Sequence, residues 1–217
     1  MKVINFAEQR SLLNQYMMEL RDIEIQKDMM RFRANIKRIG EIIAYEISKT
    51  LHYNDVETTT CLGTARCHTL GETIVLSTIL RAGLPLHQGM HDFFDHAENA
   101  FVSAYRKYIN NDDFRIHIEY IAAPRIDGKT LIICDPMLAT GSSMDLAYQA
   151  LLTKGTPAKI HLVSVIASTQ AIDYIRNKFP DDTTLWVAAV DDKINEHKYI
   201  VPGLGDAGDL AFGEKEG

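Results

Sequence analysis

The sequence predicts one α/β domain built on a mostly parallel central sheet flanked by helices. Three observations support this. Short apolar runs at 73–79, 131–134, 159–167 and 185–190 have the composition of strands buried on both faces. Helical segments separate several of these runs, and strands alternating with helices imply parallel pairing through crossovers. The chain has 217 residues, 46% hydrophobic and 24% charged, enough for one sizeable core without a second full domain. The expected layout is N-terminal helices at 1–52, a core at 56–190 with a hairpin at about 100–121, and a C-terminal hood at 191–217.

Between Asp28 and Leu51, Phe32, Ile36, Ile39, Ile43 and Ile47 recur at spacings of three and four, which is one face of an amphipathic helix. Its basic residues Lys27, Arg31, Arg33, Lys37 and Arg38 are expected on a solvated or subunit-facing side. Met17, Met18, Met29 and Met30 read as helix core or interface filler. Val56 to Leu70 is threonine-rich and loosely alternating, a strand or hairpin. Thr73 to Ile79 is a buried strand that runs into Leu80-Arg81-Ala82-Gly83-Leu84, a turn carrying a lone arginine at a strand end. Ala100–Tyr105 and Arg115–Ile121 read as strands around a polar tip at Ile109–Asp113.

Leu131 to Cys134 is a buried strand that ends on Asp135, a short loop of small and hydroxyl residues follows, and a helix begins near Ser142. Ser142 with Asp145 reads as a capping box, and Lys154, Gly155 and Pro157 as the helix stop. Lys159–Ala167 and Leu185–Val190 are further strands, separated by a helix over Gln170–Phe179 that stops at Pro180. The segment from Asp191 onward is loop-rich, with Tyr199 to Pro202 leading into a glycine cluster.

A formal net charge of -6 argues against generic binding of nucleic acid or anionic membrane, which needs clustered Lys and Arg. The N-terminus lacks a signal-peptide h-region, and no apolar run approaches the roughly 20 residues of a membrane span. Cys61, Cys67 and Cys134 offer no even-numbered disulfide framework, so a reducing cytoplasm is expected. His87, His91 and His96, or Cys61, Cys67 and His68, could suggest metal, but neither set completes a ligand pattern, and no protein metal site is expected. The first set reads instead as solvated histidines on the helix after the Arg81 turn.

Candidate chemistry centres on Asp135. It stands at the carboxyl end of a parallel strand, where open α/β sheets deliver ligand contacts. The helix after it brings about half a positive charge and unpaired N–H groups, with the hydroxyls of Thr140, Ser142 and Ser143 close by, so a phosphate monoester fits there. Two rival nucleotide motifs fail. Gly128-Lys129-Thr130 precedes a strand, and Ala123 stands where a P-loop needs its first glycine. Gly203-Leu204-Gly205-Asp206-Ala207-Gly208 matches GxGxxG but has too little chain after it for a helix, a strand and an acidic residue about 20 positions on.

From Cys134 to Ser143, the acidic residue, the small-residue loop and Thr140-Gly141 resemble the phosphoribosyl diphosphate (PRPP) signature of type I phosphoribosyltransferases. The form DPMLATG, with Ile79-Leu80-Arg81-Ala82-Gly83-Leu84 and the run from Tyr199 to Asp209 (YIVPGLGDAGD), narrows the resemblance to the uracil phosphoribosyltransferase family. It covers roughly Ile79 to Gly213, is looser over Phe6–His52 and is weakest over Asp55–Leu70.

The resemblance implies transfer of a 5-phosphoribosyl group from PRPP to N1 of uracil, giving UMP and diphosphate in pyrimidine salvage. It implies Mg2+ carried mainly by the PRPP diphosphate, and a homo-oligomer. Catalysis is carried over to Asp135, Arg81 and Asp206. PRPP contacts are carried over to Arg81, Ala82, Arg106, Asp135, Pro136, Met137, Leu138, Ala139, Thr140, Gly141, Ser142, Ser143 and Asp206. Uracil contacts fall on Ile200, Gly205, Asp206 and Ala207, largely through backbone that small residues leave accessible. A cis peptide is expected at Arg81-Ala82.

Three positions depart from the family pattern: Ser142 where a second glycine is usual, Lys107 where an acidic or amide residue is usual, and Leu210 where a basic residue is usual. Those departures keep two other readings open, transfer to a different pyrimidine and a non-catalytic PRPP or UMP sensor.

Overall fold

A computed structural model describes residues 1–108 and 114–214, with the backbone alone described at 104–108 and 114–119. The expected hairpin tip, Ile109–Asp113, lies outside the described residues.

The chain opens with β1 (Lys2–Asn5), which the apolar pattern did not announce, and α1 (Leu12–Arg21). α2 (Met29–Ser48) starts where the Asp28 carboxylate accepts the Arg31 N–H at 3.0 Å. Its predicted apolar face is buried, with Phe32, Ile36, Ile39, Ile43 and Ile47 at most 1% exposed. The basic residues are less idle than expected. Arg31 pairs with Glu19, Lys37 with Asp92, Arg38 lies over the Tyr16 ring, and Arg33 donates to the Ala211 carbonyl. Of the four methionines, only Met17 is core.

β2 (Tyr53–Thr60) and β3 (Gly63–Leu70) form a separate antiparallel pair, so the threonine-rich segment is a hairpin. β4 (Ile74–Ile79) leads through the Arg81 turn to α3 (Leu84–Phe93), followed by β5 (Glu98–Tyr108) and β6 (Phe114–Ala122). β7 (Thr130–Cys134), β8 (Met137–Leu138), α4 (Ser142–Leu152), β9 (Lys159–Ser168), α5 (Thr169–Arg176) and β10 (Thr184–Asp191) complete the alternation. β11 (Lys193–Ile194), β12 (Ile200–Val201) and α6 (Ala207–Phe212) build the hood. Among the described residues, no helix is long and apolar enough to cross a membrane.

The main sheet runs β1-β10-β9-β7-β4-β5-β6, with β8 beside β9, and every pairing is parallel except β5 with β6. Strand alternation divides the core. Ile132 and Cys134 face the cluster of α1, α2 and α3, whereas Leu131 and Ile133 face that of α4 and α5. The chain leaves β4 toward β5 and leaves β7 toward β9, in opposite directions along the sheet. The crevice above the carboxyl ends of β4 and β7 is therefore the topological switch point, where such sheets bind ligands.

α3 is brought close to α2 through two glycines. A Cβ on Gly89 would stand 2.0 Å from the Lys37 carbonyl oxygen, and one on Gly40 would stand 2.6 Å from that of Leu86. Both obstacles are helix backbone, so they cannot rotate away. Gly89→Ala should lower stability by about 3 kcal/mol, at the upper end of overpacking costs, read as a shifted urea midpoint. An unchanged midpoint would mean that the helices do not meet this closely.

Candidate active site at the switch point

Asp135 leaves β7 with its N–H bonded to the Val163 carbonyl at 3.0 Å. Its side chain is 8% exposed and lines a cavity of about 660 Å³. Burial pushes the carboxyl up to about 7, against the pull of the Met137 N–H that it accepts. A carboxylate with so few donors facing a cavity is suited to a ligand that supplies hydroxyls.

The loop after it is held mainly by backbone. The Pro136 carbonyl accepts the N–H groups of Val165 at 3.1 Å and Ile166 at 3.0 Å, Leu138 is buried, and the Ser168 hydroxyl donates to the Ala139 carbonyl at 2.7 Å. Gly141 has φ 79° and seats against Tyr174 and Ile175 of α5, where a Cβ would come within 2.9 Å of either side chain.

The capping box expected at Ser142 and Asp145 is absent. Gly141 is the N-cap, Ser142 is already helical with its hydroxyl 2.8 Å from that of Thr140, and the Asp145 carboxylate accepts the Tyr174 hydroxyl proton at 2.8 Å. Gly141 offers no side-chain cap, and the Ser142 N–H makes only a long bond, 3.4 Å, to Thr140 Oγ1, so the start of α4 is available to an anion. At its other end α4 stops at Leu152, and Gly155, with φ 132°, follows two residues beyond the Thr153 C-cap.

Opposite the cradle, the turn after β4 places Arg81 and Ala82 on the cavity wall. The cis peptide lies at Leu80-Arg81, one bond earlier than expected. Arg81 reaches Asp209 and the Gly213 carbonyl, both at 3.4 Å, a loose tether for a guanidinium whose side chain is 43% exposed. Arg106 lies on β5 with its Cα opposite Ile116, as Lys107 lies opposite Arg115, and both side chains fall outside the described residues.

The hood closes the third side. Gly205, Asp206 and Ala207 line the cavity, whereas Ile200 is buried in the core beneath. Gly205 has φ 91°, a conformation suited to glycine. Asp206 caps α6, its Oδ1 accepting the N–H groups of Gly208 at 2.8 Å and Asp209 at 3.0 Å. Leu210, the departure from the family pattern, packs against the core cluster, so its contact here is apolar, while Arg33 of α2 holds the neighbouring Ala211 carbonyl at 2.7 Å.

One cavity thus gathers Arg81, Ala82, Asp135, Met137, Ser143, Gly205, Asp206 and Ala207. Pro136, Leu138, Ala139, Thr140, Gly141, Ser142 and Ile200, also expected as contacts, are not on its wall. Sequence reading missed Ser103, His197, Lys198 and Tyr199 as wall residues. The signal for Lys198 was the polar run before Tyr199, where Asn195 Oδ1 accepts the N–H groups of His197 and Tyr199 at 3.0 and 2.9 Å and turns Lys198 to φ 64°.

His87 is buried against Phe101, not solvated as expected, and His68 pairs with Asp55. Among the described residues, no group of three or more His, Cys, Asp or Glu could hold a metal ion.

The parallel sheet, with a buried acidic residue and an arginine turn at its switch point, has the fold of the type I phosphoribosyltransferases. A hypoxanthine phosphoribosyltransferase from Staphylococcus aureus shares that fold at 14% identity, with a TM-score of 0.50 over 75% of this chain and 76% of that one. The narrower assignment comes from sequence. The family model for uracil phosphoribosyltransferase matches residues 7–214, and a uracil phosphoribosyltransferase of Porphyromonas gingivalis is 61% identical over 215 residues, 99% of this chain and all of that protein. The AQ2163 protein of Aquifex aeolicus is 30% identical, with a TM-score of 0.84 over 97% of this chain and 98% of that one. The chain belongs to the uracil phosphoribosyltransferase family.

Proposed function

We propose that this cavity transfers the 5-phosphoribosyl group of PRPP to N1 of uracil, giving UMP and diphosphate. The observation that carries the proposal is the placement of Asp135, a buried, under-donated carboxylate between the open start of α4 and the glycine-rich hood. Asp135 accepts the ribose hydroxyls, and the backbone from Ala139 to Ser143 takes the 5-phosphate at the helix start. Arg81 and Arg106 take the diphosphate, for which a guanidinium fork matches two phosphate oxygens. The backbone of Ile200, Gly205 and Ala207 reads the edge of uracil, and Asp206 stands beside base and ribose.

The C1–oxygen bond to diphosphate breaks with its electron pair leaving on oxygen. Positive charge grows on C1 and the ring oxygen, and N1 of uracil forms the new bond from the opposite face as its proton passes to Asp206 or to water. Positioning and electrostatics supply most of the rate, and no side chain acts as a covalent nucleophile. The wall fits magnesium carried mainly by the PRPP diphosphate: Asp135 and Asp206 would offer such an ion hard oxygens, and it commonly takes one or two carboxylates plus phosphate oxygens. When bound, the ion neutralises the leaving diphosphate.

The proposed compartment is the cytoplasm, consistent with three free thiols. A homo-oligomer is part of the reading, because the β2–β3 pair is largely exposed and a two-stranded hairpin is marginal alone.

The test is a panel of nucleobases incubated with PRPP and magnesium, followed by diphosphate release. Uracil should turn over in preference to other bases. Preference for a different pyrimidine would reassign the base, and no release above the blank with any base would overturn the enzyme reading in favour of a sensor.

A further inference from the structure

Neither Arg21 nor Asp191 lines the cavity, yet together they hold the turn that does. Arg21 ends α1, and Asp191 ends β10. The guanidinium bridges both carboxylate oxygens at 2.7 Å each, and Nη1 also donates to the Gly203 carbonyl at 2.9 Å. The Gly203 N–H in turn donates to Asp191 Oδ2 at 2.8 Å. Both backbone polar groups of Gly203 are therefore held by one ion pair. The residue has little room to settle elsewhere: its φ is 64°, and a Cβ there would stand 2.0 Å from the Ile200 carbonyl oxygen. Two residues on, Gly205 begins the cavity wall.

Burial would favour a protonated Asp191, but Arg21 and the Gly203 N–H hold its carboxyl below the usual range. The pair is sheltered, with Asp191 8% exposed and Arg21 27%. A bidentate fork fixes direction as well as distance, which a single ammonium cannot do.

We infer that Arg21 and Asp191 are positioning residues for base recognition, setting where the backbone of Gly205 and Ala207 stands. This rests on the proposed reading of the hood as the uracil site. The direct contacts of the pair are to the Gly203 turn, whereas Arg81 meets the hood only beyond that turn, through Asp209 and the Gly213 carbonyl at 3.4 Å.

Arg21→Lys keeps the charge and removes the fork, whereas Asp191→Asn keeps the shape and removes the charge. Each should raise the KM for uracil about tenfold or more and narrow the preference for uracil over other pyrimidines. The kcat and the KM for PRPP should stay within about threefold, and PRPP binding measured by calorimetry should be unchanged. A folded variant whose uracil KM is unchanged overturns the inference. So does a parallel fall in kcat, both affinities and melting temperature, which would make the pair merely structural. Wild-type turnover of uracil in the same assay separates these failures from failure of the functional reading, since a wild type inactive with every base overturns both.

Discussion

Asp135→Asn is expected to cost about 100- to 1000-fold in kcat/KM for PRPP while making the protein more stable at neutral pH. The two effects share one cause. In the folded chain the carboxyl titrates at about 7, against 3.8 for an ordinary aspartate, because burial disfavours its charge. A carboxyl raised in this way stabilises the fold only while protonated, so that stability is fully present below 3.8 and is lost as pH rises through 7. Above pH 7, the ionised side chain costs up to about 4 kcal/mol, from roughly three pKa units at 1.36 kcal/mol each. Asparagine removes that cost.

The variant should therefore melt roughly 5–10 °C higher above pH 7, with the gain fading toward pH 4. His161 shifts stability the other way. Buried beside Trp186, it is held down to about 4, and its contribution is lost as pH falls from 6.5 toward 4. Both proteins carry His161, so the difference between their melting curves isolates Asp135. Activity supplies the second readout. If Asp135 must be ionised to accept ribose hydroxyls, kcat/KM for PRPP in the wild type should fall below about pH 7. Asparagine should abolish that acid limb. A variant that is active, or that melts no higher than wild type at pH 8, would refute the ligand role or the buried charge respectively.

Much of this architecture was legible because its signals are local and periodic. The five apolar residues from Phe32 to Ile47 marked a helix face, the run from Leu131 to Cys134 marked a doubly buried strand, and Asp135 at its end lies on the cavity wall. β1 was not legible, because Lys2–Asn5 is a four-residue edge strand whose identity comes from pairing with β10. The capping box failed for a related reason. Ser142 has the right residue type, but Gly141 in the left-handed region takes the N-cap and Tyr174 of α5 takes the Asp145 carboxylate. The hydrogen bonds of Arg21 to Asp191 span 170 positions and those to Gly203 span 182, so no window of sequence could show them. Matched motifs located the hood, but what holds it in place comes from the far end of the chain.

Gly83→Ala should be as damaging to turnover as loss of Asp135, with the opposite effect on stability. Gly83 has φ -70°, which alanine adopts freely, so only contact matters. A Cβ there would stand 2.2 Å from Thr78 Oγ1, 2.7 Å from the Ile79 carbonyl oxygen and 3.0 Å from the Cys134 carbonyl oxygen. The Thr78 hydroxyl has no hydrogen-bond partner among the described residues, so no such bond holds it in place. The two carbonyls belong to the last residues of β4 and β7, the strands whose ends define the switch point, and they cannot rotate away. The turn that carries Arg81 should therefore shift to relieve the contact. A shift on the order of 1 Å in a substrate-positioning group costs about 100-fold, and overpacking of this kind adds about 1–3 kcal/mol of destabilisation. Steady-state kinetics should show the loss in kcat/KM for PRPP, with a lowered melting temperature. Adding Thr78→Ala should recover only a minor part, because the backbone obstacles persist. Full recovery would place the conflict in the threonine alone, and wild-type turnover in the single variant would show that Arg81 does not depend on the close approach of these strand ends.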